Sequence, residues 1–122
     1  MSIELRGLRT VIYPAPDLSV ARDWWAAFLG QEPYFDEPFY VGFSVAGYEL
    51  GLLPDGDPTE GPLVYGGVDD VDVSVAAAVA QGARVHTPAA EVGEGIITAT
   101  VLNPLGGIVG FIRNPHFTLS AP

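Results

Sequence analysis

The side chains of this chain that could do chemistry are few, and one acidic residue stands out among them. Glu49 lies within the predicted strand Tyr48–Leu53, where alternation puts it on the opposite sheet face from Leu50. A carboxylate on an apolar face is costly unless it is paired. We therefore expect Glu49 to meet a cationic ligand, Arg9 or Arg113, or another chain. A position in water at the mouth of a hairpin is the alternative.

Other reactive side chains are sparse. The chain has no cysteine, which excludes disulfides, thiol catalysis and thiolate metal sites. Its two histidines, His86 and His116, have no second histidine at helix or strand spacing. An isolated histidine is more often a packing or surface residue than a ligand or base. No nucleophile with a base beside it is recognisable, so we predict no catalytic residue.

Composition narrows the class of protein. The 122 residues are 48% hydrophobic, which fits one globular domain. A net charge of −10, with five arginines and no lysine, argues against nucleic-acid binding. An acidic field would attract cationic ligands, but simple solubility is the preferred explanation. No apolar run reaches the ~20 residues that span a bilayer, and the N-terminus lacks a signal-peptide core. We expect a cytoplasmic protein that binds neither nucleic acid nor membrane.

The first half of the chain reads as a strand, a helix and three more strands. Asp17 is a suitable N-cap for the helix, which ends at Leu29 before Gly30. The helix face expected to cover a sheet comprises Val20, Ala21, Trp24, Trp25 and Phe28. The four strands are predicted at Gly7–Tyr13, Glu32–Asp36, Tyr40–Val45 and Tyr48–Leu53.

The second half repeats this order of elements. A helix is predicted at Val71–Gln81, capped by Asp69 or Asp70. The strands are predicted at Leu63–Val68, Ala83–Thr87, Ile96–Leu102 and Ile108–Arg113. The chain is therefore predicted to be a single domain of two modules, about 7–53 and 63–113, joined by a linker at 54–62 that is rich in Pro, Gly and Asp.

These elements carry short motifs in a characteristic order. They are Tyr13-Pro-Ala-Pro-Asp-Leu18, Trp24-Trp25-Ala-Ala-Phe28-Leu29-Gly30, Gly67-Val-Asp-Asp70, Gln81-Gly82-Ala83 and Asn103-Pro104-Leu-Gly106. In this order the chain resembles the vicinal-oxygen-chelate superfamily, which includes glyoxalase I, bleomycin-resistance proteins and extradiol dioxygenases. The resemblance implies an α+β fold in which paired βαβββ modules form a curled eight-stranded mixed sheet around a cleft. Helices would cover the outer face, and two chains would form a homodimer that often shares its clefts.

The resemblance also implies four positions for the ligands of a divalent metal. They correspond here to Thr10, to the stretch from Glu49 to Gly51, to Leu63 and to Gly110. A metal site needs three or four nitrogen or oxygen donors that converge on one point. Only one carboxylate and one hydroxyl are available, so we predict no metal and no cofactor.

The same register predicts which residues line the cleft. Alternation turns Leu8, Thr10 and Ile12 of the first strand toward it, together with Glu49, Gly51 and Leu53 of the fourth. The residues expected to face the helices are Val11, Leu50, Val64, Val109 and Phe111. Trp24 is expected in the core and Trp25 beside the cleft or the dimer interface. The predicted ligand-binding residues are Thr10, Trp25, Phe35, Phe39, Tyr40, Glu49, Gly51, Leu63, Tyr65, Gly110 and Ile112.

An apolar cleft with few polar groups suits a small aromatic or cationic molecule. The leading prediction is a metal-free binding protein that resembles the bacterial bleomycin-resistance branch and sequesters a drug or natural product, as in antibiotic resistance. The alternative is a metal-independent isomerase or lyase that acts on a small metabolite with Glu49 as acid or base. A regulatory or structural module with an empty cleft is the third.

Overall fold

A computed structural model describes residues 3–118 of the chain. Its two α-helices are α1 (Leu18–Leu29) and α2 (Val71–Ala80), and a short 3-10 helix spans Pro58–Glu60. Its eight strands are β1 (Leu8–Pro14), β2 (Phe35–Glu37), β3 (Tyr40–Val45), β4 (Tyr48–Leu53), β5 (Leu63–Gly67), β6 (Arg84–Gly93), β7 (Ile96–Leu102) and β8 (Ile108–Arg113). None of the helices in this part of the chain is long and apolar enough to cross a membrane.

The described residues form two compact units. We call residues 10–63 the first module, and residues 3–9 with 64–117 the second module. In the first module the strands follow the order β2-β3-β4-β1. The β2–β3 and β3–β4 pairs are antiparallel, whereas β1 lies parallel to β4. The mixed sheet arises because α1 carries the chain from β1 to the far edge, from which it returns by two hairpins.

The second module has the same topology. Its strands follow the order β6-β7-β8-β5, with β6–β7 and β7–β8 antiparallel and β5 parallel to β8. The segment before β1 also belongs to this module, since the Arg6 N–H donates to the Gly67 carbonyl and the Gly67 N–H donates to the Gly7 carbonyl. The prediction of two βαβββ modules with mixed strand directions is therefore confirmed.

The helix caps follow the sequence prediction. The Asp17 carboxylate accepts a hydrogen bond from the Val20 N–H, and Gly30 ends α1 in the left-handed conformation at φ 68°. Asp70, rather than Asp69, caps α2 by accepting from the Val73 N–H at 3.1 Å. Each cap supplies an acceptor to a first-turn N–H group that has no partner within the helix.

Each module buries one face of its sheet under its own helix. In the first module the core contains Val41, Phe43 and Leu52, and in the second Val101 and Phe111. Leu50 and Val109 pack against these cores, as predicted. Val64, also predicted to face a helix, is 38% exposed and lies outside the core. We call the other face of each sheet, which carries no helix, its open face.

The buried face of α1 differs from the one predicted. Leu18, Ala21, Trp25 and Leu29 pack against the core of the first module. Val20, Trp24 and Phe28 instead form an outer stripe in which Trp24 is 57% and Phe28 67% exposed. Because both sets recur at helical spacing, the sequence alone could not choose between them. The expectation that Trp24 is the core residue and Trp25 the flanking one is wrong, since Trp25 packs inward.

Two strands also differ from prediction. β2 covers Phe35–Glu37 rather than Glu32–Asp36, because Pro33 has no N–H to give to a ladder. β6 continues through Pro88 to Gly93, where the sequence pattern predicted an end at Thr87. It pairs only with β7 among the described strands, and its register shifts three times. An edge strand with bulges tolerates proline because one side of its backbone is not hydrogen-bonded.

Candidate functional site

The polar centre of the first module lies on its open face, at Glu49. Tyr34 Oη donates to Glu49 Oε1 at 2.5 Å, and Tyr40 Oη donates to Glu49 Oε2 at 2.8 Å. Distances of this size are typical of hydroxyl groups that bond an ionised carboxylate. Glu49 and Tyr40 are half-buried, whereas Tyr34 is 61% exposed. We call these three side chains the Tyr–Glu–Tyr cluster.

Strand register brings the cluster together. Glu49 on β4 stands opposite Thr10 of β1 and Ser44 of β3. Since side chains of directly paired residues point to the same side of a sheet, all of these lie on the open face. Thr10 is buried there at 7% exposure. The predicted positions of Thr10, Tyr40, Glu49 and Gly51 on one face agree with this register.

Two facing glycines make room for the tyrosines. Gly42 of β3 pairs with Gly51 of β4. A methyl group on Gly51 would overlap the Tyr40 phenol, and one on Gly42 would come within 2.6 Å of Glu49 Oε2 and 3.1 Å of Tyr34 Cε1. Without side chains at these two positions, both aromatic rings can lie across the strands and reach the carboxylate.

An aromatic wall continues from the cluster along β2. Phe35 pairs with Gly42 and therefore faces the same side. Its ring lies 6.4 Å from that of Tyr34, 6.1 Å from Tyr40 and 5.9 Å from Phe39, measured between centroids. Phe39 is 62% exposed. The predicted cluster of Phe35, Phe39 and Tyr40 therefore exists, and Tyr34 extends it toward Glu49.

The first module is strongly acidic. It holds nine of the fifteen acidic residues and one of the five arginines, Arg22. Arg22 is engaged on the helix side, where it forms ion pairs with Asp23 at 3.1 Å and Asp36 at 3.5 Å. Glu37, by contrast, pairs with Tyr40 and so lies on the open face. The Tyr–Glu–Tyr cluster is therefore in a negative local field.

The arginines predicted as candidate partners of Glu49 have other contacts. The Arg9 guanidinium lies over the Phe117 ring at 4.2 Å, and its Nε donates to the Arg6 carbonyl. Arg113 lies on β8 in the second module. The phenols of the Tyr–Glu–Tyr cluster are the partners that the sequence analysis missed.

The second module repeats the tyrosine-over-glycine arrangement. Tyr65 of β5 pairs with Gly110 of β8, and a methyl group on Gly110 would come within 2.5 Å of Tyr65 Cδ1. Burial raises the pKa of the Tyr65 phenol above its ordinary value. Ile112, two residues further along β8, is buried on the same open face. Tyr65, Gly110 and Ile112 thus share one face, as predicted.

Two residues of the site escaped the sequence analysis for definable reasons. Tyr34 precedes the regular pairing of β2 and follows Pro33, so alternation does not determine its side. Its backbone N–H nevertheless donates to the Gly42 carbonyl, which holds it beside β3. The signal for Gly42 was its position opposite Gly51, which becomes visible once β3 and β4 are paired across the Ala46-Gly47 turn.

The donor set does not fit the metal that the fold family implies. Of the four expected positions, Leu63 and Gly110 have no donor side chain, which leaves only the Thr10 hydroxyl and the Glu49 carboxylate. Among residues 3–118, no group of three or more histidine, cysteine, aspartate or glutamate side chains is arranged to hold a metal ion. We therefore assign no chemistry to a metal in this chain.

We expect the purified protein to bind no transition metal tightly, because a single carboxylate cannot supply the three or four ligands that such a site needs. Elemental analysis after dialysis against a weak chelator measures this. About one equivalent of zinc, manganese, iron or nickel per chain would contradict the expectation.

A double-mutant cycle tests whether the Tyr40 ring occupies the space above Gly51. Gly51→Ala should lower the free energy of unfolding by roughly 1–3 kcal/mol in the otherwise unchanged protein, because its methyl group displaces the Tyr40 ring. In a Tyr40→Ala background the same change should cost less than about 1 kcal/mol or stabilise the strand. Denaturant unfolding of the four proteins provides the measurement. If Gly51→Ala lowers the free energy of unfolding equally in both backgrounds, the Tyr40 ring does not occupy the space above Gly51.

Comparison with known proteins supports the architecture at low sequence identity. No protein-family model and no curated protein matches the chain. A methylmalonyl-CoA epimerase from Streptomyces coelicolor aligns at 18% identity and TM-score 0.73, covering 98% of this chain and 100% of that one. The Mn(II)-bound glyoxalase from Novosphingobium aromaticivorans aligns at 16% identity and TM-score 0.74, covering 99% of this chain and 43% of that one.

A third solved structure belongs to the hypothetical protein BH1468 from Bacillus halodurans. It aligns at 10% identity and TM-score 0.72, covering 92% of this chain and 96% of that one. Structural similarity at such low sequence identity shows the fold and not the activity. With its two βαβββ modules and these structural relatives, the chain has the fold of the vicinal-oxygen-chelate superfamily.

Proposed function

We propose that this protein binds a small organic molecule on the open face of the first module, without a metal. The observation that carries the proposal is the Glu49 carboxylate, which two phenols hold in place beside an aromatic wall. Ligand sites typically combine apolar and aromatic walls with a few positioned polar groups. Here the wall is formed by Phe35 and Phe39, and the polar group is the Tyr–Glu–Tyr cluster.

Binding without turnover is the better supported role. Each carboxylate oxygen of Glu49 already accepts a phenol hydrogen bond, which holds the group as a fixed acceptor. General acid–base catalysis would also need a second group to take or return the proton. Stoichiometric sequestration of a drug or natural product needs only affinity, and it is the role we favour, by analogy with the bleomycin-resistance branch.

A catalytic role is the second candidate. The structural relatives include an enzyme named as an epimerase. Under this alternative, Glu49 would act as acid or base in a metal-independent isomerase or lyase. Incubation of the protein with any confirmed ligand, followed by mass spectrometry and chiral chromatography, separates the two roles, because only an enzyme changes the ligand in excess over protein.

Variants on the two sheet faces test the proposed site. A thermal-shift screen of aromatic and cationic natural products would first identify a ligand. Tyr40→Ala and Glu49→Gln should then each weaken its binding by about ten- to one-hundredfold, the equivalent of ~1.5–3 kcal/mol. Tyr48→Ala is the matched control. Tyr48 lies on β4 next to Glu49, and alternation turns its side chain to the helix side of the sheet. Calorimetric titration gives the affinities.

The outcomes of this test are distinct. Loss of affinity in Tyr48→Ala with none in Tyr40→Ala would place the ligand on the wrong face for the proposal. A screen that yields no ligand at all would favour the third alternative, a regulatory or structural module.

We also propose a homodimer, with a ligand cleft in each half. The outer stripe of α1, formed by Val20, Trp24 and Phe28, supports an interface because large aromatic side chains are otherwise seldom left exposed together. Light scattering at micromolar concentration should give twice the 12.9 kDa mass of the chain. A mass of one chain over the whole concentration range would contradict the dimer.

A further inference from the structure

We infer that the ligand of the Tyr–Glu–Tyr cluster is a protonated amine, bound through its N–H groups. The inference rests on the proposed binding function and adds the chemical class of the ligand. It follows from which groups of the cluster still have a proton to donate in a hydrogen bond. Tyr34 and Tyr40 each have one hydroxyl proton, and both protons are donated to Glu49. The carboxylate has none of its own when ionised.

The cluster therefore offers only acceptors to a ligand. A carboxylate has about four acceptor positions and two of them are occupied by the phenols. A phenol oxygen whose one proton is already donated can otherwise act only as an acceptor. A carbonyl, carboxylate or phosphate group brings acceptors and no donors, so it would meet acceptor atoms and negative charge at this cluster.

A protonated amine has the complementary chemistry. An ammonium group carries three N–H donors and one positive charge. It can bond a carboxylate oxygen of Glu49 and a phenol oxygen together, and such charge-assisted hydrogen bonds are the strong ones. A trimethylated ammonium has the same charge but no donor, and it would use only the charge and the ring faces.

The surroundings of the cluster favour a cation over a neutral donor. Glu37 is the strand partner of Tyr40 and lies on the same sheet face as the cluster. Arg22, the only arginine of the first module, is paired with Asp23 and Asp36 on the helix side. The Phe35 ring adjoins the cluster, with its centroid 6.4 Å from that of Tyr34, and can contact the carbon skeleton of the amine. An amine attached to an aromatic or aliphatic body fits both parts of the site.

A matched series of three small probes tests this class directly. The full chain is titrated in a calorimeter at neutral pH with phenethylamine, with its N,N,N-trimethyl derivative and with phenethyl alcohol. We expect phenethylamine to bind at least about tenfold more tightly than the alcohol, because charge-assisted hydrogen bonds are stronger than neutral ones. The trimethylated probe should bind more weakly than the primary amine, because it cannot donate.

Variants identify the group responsible. Glu49→Gln should remove most of the preference for the amine over the alcohol. Glu60→Gln is the control, since it takes the same charge from the exposed 3-10 helix of the same module. It should leave the preference intact, which separates the local contact from the overall acidic field. The probe series on the unmodified chain decides the question even where a variant is poorly folded.

The outcomes distinguish failure of the inference from failure of the proposed function. If the alcohol binds as tightly as the amine, and the binding depends on Tyr40, the ligand class is wrong while the site stands. If the trimethylated probe binds as tightly as the primary amine, the donor requirement is wrong. If neither these probes nor any compound of the wider screen binds, both the inference and the proposed function are wrong.

Discussion

The pairing of β3 with β4 at two facing glycines is the constraint on which the site depends. Gly42 and Gly51 are directly paired, so their stretch of the open face has no side chains to fill it. Tyrosine rings occupy that space and their hydroxyls reach the same carboxylate. A side chain at either position would displace this arrangement, because a Cβ on Gly51 overlaps the Tyr40 phenol and one on Gly42 crowds the Glu49 carboxylate and the Tyr34 ring.

The arrangement explains how an acidic side chain can sit on a largely apolar face. Glu49 is half-buried, and an ionised carboxylate in that setting needs hydrogen-bond donors. The two phenols supply them from within the module, without an arginine. Among residues 3–118, no ion pair neutralises the Glu49 carboxylate.

The two modules share a topology but not a chemistry. In both, the parallel strand before the helix lies beside the last strand, and a residue of that parallel strand pairs with a glycine of the last strand: Ile12 with Gly51, and Tyr65 with Gly110. The position of Glu49, two residues before Gly51, is taken by Ile108 in the second module. The same backbone frame therefore carries a charged cluster in one module and a more apolar face in the other.

The sequence by itself determined the order of elements, the helix caps and most sheet faces, because these depend on local chemistry and on a period of two or 3.6 residues. It placed Glu49 and Leu50 on opposite faces of the sheet and grouped Phe35, Phe39 and Tyr40 in one aromatic cluster. Only the tertiary structure decided which apolar stripe of α1 is buried, how far β6 extends past Pro88, and that Tyr34 reaches Glu49. Those outcomes depend on which strands become neighbours and on which positions lack a side chain, and a local pattern contains neither.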